Sequence, residues 1–141
     1  MCIRDRGYFP LELLDQVNEK MKSLLAQEGA RIDGLYYCPH HPEAKEEQYR
    51  RDCDCRKPKI GMLQQAAKEM NIDLARSFLV GDRWSDVKCA HRAGCASILV
   101  LTGYGRGDYR YIGPSQEIQP AYVAENLLEA VEWILPRIDR D

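Results

Sequence analysis

From Pro10 to Gln27 apolar residues fall at Leu11, Leu14, Val17, Met21, Leu24 and Leu25, a helical spacing that predicts an amphipathic helix with one buried stripe, stopped near Gly29. Ile32 to Cys38, with Leu35-Tyr36-Tyr37 between Gly34 and Pro39, reads as a short aromatic strand. The segment His40 to Lys59 is polar, charged and punctuated by prolines, and it is too long for an ordinary connection unless something orders it. Helical spacing returns over Gly61 to Met70 through Leu63, Ala66, Ala67 and Met70. Ser77 to Val80 is then a brief apolar run ending at Gly81-Asp82. Trp84 to Ala93 suits a helix closed by Gly94, and Ser97 to Leu101 is a second continuous apolar strand. Gly103 to Pro120 has no clear period and reads as a Gly- and Tyr-rich loop, with Ala121 to Val123 as a last short strand. Val123, Leu127, Leu128, Val131, Ile134, Leu135 and Ile138 mark a closing helix. Helices alternating with wholly apolar strands predict an α/β fold with a parallel sheet.

The 141 residues are 45 % hydrophobic and contain no apolar run long enough to span a bilayer, so one water-soluble domain, or part of one, is expected. A formal net charge of -2 argues against a chain that coats nucleic acid, while leaving room for a local pocket that takes a small anion.

The long polar segment carries the most specific pattern. Cys38 and His40, a gap of twelve residues, then Cys53 and Cys55 place three thiolates and one imidazole within 18 residues. That is a complete tetrahedral shell for Zn²⁺. The spacing is tighter than in common zinc fingers, so each pair must come from a sharp turn, and Pro39 and Pro42 stiffen the first. Two alternatives are free thiols beside a surface histidine, and disulfides among the six cysteines. No secretory pattern precedes them and Cys53 and Cys55 are one residue apart, so a reduced cytoplasmic chain with a zinc-ordered loop is expected. Cys2, Cys89 and Cys95 read as ordinary thiols.

Gly81-Asp82-Arg83-Trp84-Ser85-Asp86 lies just beyond a parallel strand, where open sheets bind ligands. Asp82, at the strand end, suits Mg²⁺, which prefers one or two carboxylates with phosphate oxygens and waters. Ser85 and Asp86 read equally well as helix caps. Lys57 is a compact charge suited to phosphate oxygens, next to Pro58 and two residues after Cys55. Arg50, Arg51 and Lys59 read as a solvated basic face, whereas Arg56 and Lys57 are the candidate site cations.

Lys57-Pro58 and Gly81-Asp82-x-x-x-Asp86 resemble the third and fourth motifs of the haloacid dehalogenase-like (HAD-like) phosphatases. Cys38-Pro39-His40-His41-Pro42, followed by Cys53-Asp54-Cys55-Arg56-Lys57-Pro58-Lys59 and Gly61-Met62-Leu63, is similar to the zinc-bearing branch that acts on heptose 1,7-bisphosphates. The likeness covers roughly Gly7 to Gly105 and continues more loosely to the end. Histidinol-phosphate phosphatases have a related zinc loop with a shorter gap, so they are the alternative.

The resemblance implies an incomplete Rossmann-like parallel sheet of the HAD type, lacking its first strands, with a zinc loop over 38–55. It implies one HAD-like domain over 7–141, after a lead-in of residues 1–6 that resembles nothing expected. Cys38, His40, Cys53 and Cys55 would hold structural zinc. Lys57 would steady the transferring phosphoryl group, facing Asp82 with room for a phosphate between them. Arg56 and Arg83 would contact the sugar bisphosphate, Asp82 would bind Mg²⁺ and Asp86 would support that metal shell. The full-length protein would be a cytoplasmic monomer with a small-molecule substrate and neither nucleic acid nor membrane as partner. The family mechanism uses an aspartate nucleophile, and a second aspartate as acid and base. Its Asp-x-Asp-Gly motif matches neither Asp52-Cys53-Asp54 nor Asp139-Arg140-Asp141, and no Thr/Ser motif of a second strand is found. A fragment with an artificial start, inactive and poorly stable alone with exposed apolar edges, is therefore expected. A zinc-ribbon-like module binding nucleic acid or protein through its Arg/Lys loop is the reading of another class.

Overall fold

Strands whose side chains are apolar on both faces need cover on both faces, and that requirement organises the sheet. In the computed structural model, which describes residues 11–40, 42–43 and 47–138, three strands pair in parallel. They are β1 (Phe78–Gly81), β2 (Ala96–Val100) and β3 (Tyr122–Ala124), in that order. Phe78 lies opposite Ala96, Gly81 opposite Leu99, and Val100 opposite Ala124. From β2, Ile98 and Val100 face a cluster with Ala124 and Ala130, supported by Phe78, Val80, Tyr122, Trp133 and Ile134. Leu99 faces the other way, onto Trp84 and Val87 with Ile118. Full burial of side chains such as Ile98, Leu99 and Val87 contributes about 1.5–3 kcal/mol each.

Helices α3 (Trp84–Ala93) and α5 (Leu127–Ile134) supply those two covers. α3 ends at Gly94, as its sequence predicts, with the Gly94 N–H donating to the His91 carbonyl at 3.2 Å. Asn126 caps α5 by accepting the Glu129 N–H at 3.0 Å. α2 spans Gly61–Met70, also as its spacing predicts, and passes into Asn71.

The chain divides into two compact units, Met1–Arg56 and Lys57–Asp141. The sheet and the helices above belong to the second. In the first, α1 (Leu11–Gln27) turns out of its helix through Gly29, at φ +73°. Several expectations need correction. None of the described side chains of α1 is buried, and Val17 and Leu24 stay exposed, so its apolar stripe does not form a core. Ile32–Cys38 forms no strand, because no partner strand among the described residues of its unit offers a ladder. Gly103–Pro120 is a run of short helical turns: α4 (Gly105–Gly107), a π-helical turn over Asp108–Ile112 and a 3₁₀ turn over Gly113–Ser115. Val123 belongs to β3 and not to the last helix, of which Leu127 and Leu128 remain exposed, as does Leu135 in the 3₁₀ turn that follows. Residues 1–6 with Cys2 among them, Gly7, Pro10, His41 and Asp139–Asp141, which carry expectations of their own, lie outside the described residues.

Candidate functional site

The first unit gathers the four predicted zinc ligands. One donor atom from each of Cys38, His40, Cys53 and Cys55 lies within 4.8 Å of all the others. The Cys38 and Cys53 sulfurs are 3.3 Å apart, and Cys55 Sγ is 3.0 Å from each of them. His40 presents Nδ1, at 3.6 Å from Cys55 Sγ and 3.9 Å from Cys38 Sγ. These separations exceed the ~2.05 Å of a disulfide bond. They approach the edge of a tetrahedron, about 3.8 Å for Zn–S bonds of about 2.3 Å, so the sulfurs need to spread only slightly around an ion. Arg56 Nη1 donates to the His40 carbonyl at 2.9 Å, tying the end of the loop to its beginning.

Burial pushes the Cys38 thiol well up, and hydrogen bonding with Cys55 adds to the shift. Burial likewise raises Cys55. At Cys53 burial acts upward too, but hydrogen bonds from Cys55 and Cys38 outweigh it and leave that thiol lowered. Three sulfurs this close cannot all be anionic without a cation among them, and the donor set of three thiolates and one imidazole fits Zn²⁺.

The second unit holds the carboxylates. Asp82 follows directly on β1, at the carboxyl end of the sheet. Its Oδ2 accepts the Tyr104 N–H at 3.0 Å, and its Oδ1 takes no hydrogen bond among the described residues. The loop after β2 reaches Asp82 because position 103 is glycine: φ there is +59°, and a Cβ would collide with the Asp82 carboxylate. A strand-end carboxylate with a free oxygen is a donor that Mg²⁺ can use.

Asp86 sits in the first turn of α3, with its side chain only 5 % exposed. Oδ2 accepts the Arg83 N–H at 3.1 Å, so Asp86 caps the helix from inside, while Arg83 and not Ser85 occupies the cap position. Oδ1 lies 2.5 Å from Lys57 Nζ and has no other partner among the described residues. The sequence sets Lys57 opposite Asp82, but its ion-pair partner is Asp86. A buried carboxylate next to a half-exposed ammonium makes the stronger pair, since leaving Asp86 alone in the interior is costly.

Arg83 carries three contacts. Its N–H goes to Asp86, its Nε lies 3.2 Å from Asp108 Oδ2, and its guanidinium stands 4.7 Å from the centre of the Tyr104 ring. Asp108 is buried and also accepts the Trp84 N–H at 2.7 Å. Sequence reasoning missed Asp108 and Tyr104, because both lie in the stretch without period. The available signal was the Gly103-Tyr-Gly-Arg-Gly-Asp108 run at the end of a parallel strand, a place where glycines let backbone approach a ligand.

Residues 54–130 match the HAD-hydrolase-like family. A D-glycero-beta-D-manno-heptose-1,7-bisphosphate 7-phosphatase of Pasteurella multocida is 52 % identical over 130 residues, which cover 92 % of this chain and 67 % of the relative. The relative of that name from Photorhabdus laumondii is 48 % identical over 99 residues, 70 % of this chain and 53 % of its own length. The chain thus spans about half the length of several curated relatives it matches. Among solved structures, a D,D-heptose 1,7-bisphosphate phosphatase from B. bronchiseptica, complexed with magnesium and phosphate, matches with a TM-score of 0.77 and 34 % identity. The match covers 93 % of this chain and 68 % of that one.

Proposed function

Because the chain belongs to the HAD-like hydrolase family, we propose that the whole protein is a phosphatase that removes the 7-phosphate of D-glycero-D-manno-heptose 1,7-bisphosphate. The observation that carries this reading is the pair of carboxylates at the end of β1. Asp82 has one oxygen fixed by Tyr104 and the other free, and the buried Asp86 holds Lys57 four residues further on. Support for the substrate comes from the names of the relatives and from the twelve-residue gap in the cysteine loop.

In this proposal Lys57 keeps its ammonium half-exposed, so that it offsets charge on the transferring phosphoryl group while Asp86 holds it in place. Arg56 and Arg83 bind the substrate, and Asp86 keeps the first turn of α3 in register with Asp82. Mg²⁺ held by Asp82 would supply Lewis-acid charge to the phosphoryl oxygens. Hydrolysis forms one phosphorus–oxygen bond to water and breaks the one to the sugar, whose oxygen takes a proton. The aspartate nucleophile called for by the resemblance matches no part of these 141 residues, so this stretch alone is proposed to be inactive. Cys38, His40, Cys53 and Cys55 are proposed to hold one structural Zn²⁺. A cytoplasmic location is proposed because none of the five described cysteines is in a disulfide. No helix among the described residues is long and apolar enough to cross a membrane.

The test measures phosphate release by the whole protein from the heptose bisphosphate and from histidinol phosphate, with and without Mg²⁺. Release from the bisphosphate that needs Mg²⁺, at least about tenfold faster than from histidinol phosphate, is expected. Equal rates on both, or a preference for histidinol phosphate, would move the assignment to the related phosphatases.

A further inference from the structure

Among the described residues, Arg83 is the one cation at the strand end whose side chain is held from two sides. Its Nε meets Asp108 and its plane meets the face of Tyr104, while its terminal nitrogens find no acceptor among the described residues. Asp108 is itself immobile: it is 6 % exposed, and its Oδ2 also takes the backbone N–H of Trp84. Tyr104 is equally tied, because its own N–H is the donor that fixes Asp82. One short segment, from Gly103 to Asp108, therefore sets both the candidate metal carboxylate and the guanidinium beside it.

A guanidinium has five N–H donors in a rigid fork. With Nε engaged, the outer edge is left to bind an oxyanion through two parallel hydrogen bonds. We infer that Asp108, with the ring of Tyr104, is a positioning residue that holds Arg83 ready for the phosphate that is not hydrolysed, which makes the enzyme select bisphosphates over monophosphates. This inference rests on the phosphatase reading. Pre-ordering the arginine removes a conformational cost that a free side chain would meet on binding, and the aromatic face favours the cation without competing for its donors.

The experiment compares KM for heptose 1,7-bisphosphate with KM for p-nitrophenyl phosphate, which has a single phosphate, in the whole protein. Asp108→Asn keeps an oxygen for the Trp84 N–H and removes the charge that orients Arg83. It is expected to raise the ratio of the two KM values about tenfold. Tyr104→Leu should raise it about threefold. Combining Arg83→Gln with Asp108→Asn should add nothing to the shift of Arg83→Gln alone, since both act through one contact. Should Asp108→Asn fail to fold, Tyr104→Leu carries the test. A KM that rises equally for both substrates, or an unchanged ratio with a lower melting temperature, reduces Asp108 to a helix cap and overturns the inference. If the wild-type protein releases no phosphate from the bisphosphate, the proposed function fails, and the inference falls with it.

Discussion

Lys57 and Asp86 form the most consequential pair at the scale of single residues, because one partner is buried and the other is half in water. Lys57→Ala leaves the Asp86 Oδ1 without a cation. The expected destabilisation is about 1–3 kcal/mol, less than the ~3–5 kcal/mol of a fully buried pair because water reaches the ammonium. A shift of the urea midpoint measures it, and a midpoint equal to wild type would show that Asp86 does not depend on Lys57. Gly103 is the second such position. Gly103→Ala must adopt φ near +59° and place a methyl group against Asp82. A cost of about 1–2 kcal/mol from the backbone alone is expected. Displacement of Asp82 should also weaken Mg²⁺ binding by roughly tenfold, read by calorimetric titration. Unaltered Mg²⁺ affinity would remove Asp82 from the metal site.

Among the elements, the packing of β3 on α5 centres on an aromatic and acidic group. Tyr122 stacks on Trp133 with ring centres 5.1 Å apart, and its hydroxyl donates to Glu129 at 2.7 Å. That hydrogen bond, followed by one from the Glu125 N–H, holds the Glu129 carboxyl below its ordinary value of 4.5. A carboxyl depressed in the folded state adds stability that is complete above its unfolded value and is lost as pH falls through the folded one. Trp133 fluorescence should therefore report loosening as pH falls below about 4.5, and Glu129→Gln should flatten that dependence. A pH response that survives the substitution would assign it to another carboxylate. The element that failed, Ile32–Cys38, fails for a related reason. Aromatic and branched residues suit a strand, but a strand exists only through its neighbour, and the described residues of its unit offer none. α1 is the converse case: its spacing suffices to form the helix, since helical hydrogen bonds are internal, yet it does not specify what covers the apolar stripe.

For the molecule as a whole, order in the first unit is expected to depend on metal. Purified protein should carry one zinc per chain by mass spectrometry. A strong chelator should speed hydrogen exchange over residues 30–56 while leaving protection in β1, β2 and β3 intact. Absence of co-purifying zinc, with exchange indifferent to the chelator, would make the cluster a group of free thiols. The α/β class, α2, α3 and its stop at Gly94, and the cysteine–histidine set were all legible in the order of residues, because helical period, strand apolarity and ligand spacing are local properties. Partnership was not. That Lys57 pairs with Asp86, that Tyr104 reaches back to Asp82, and that Asp108 holds Arg83 depend on which loops the sheet brings together at one end of its strands. Tyr104 and Asp108 meet residues 22 and 25 positions earlier because β1 and β2 lie side by side in parallel, Lys57 meets Asp86 across α2 and β1, and no pattern of neighbouring residues encodes such distances.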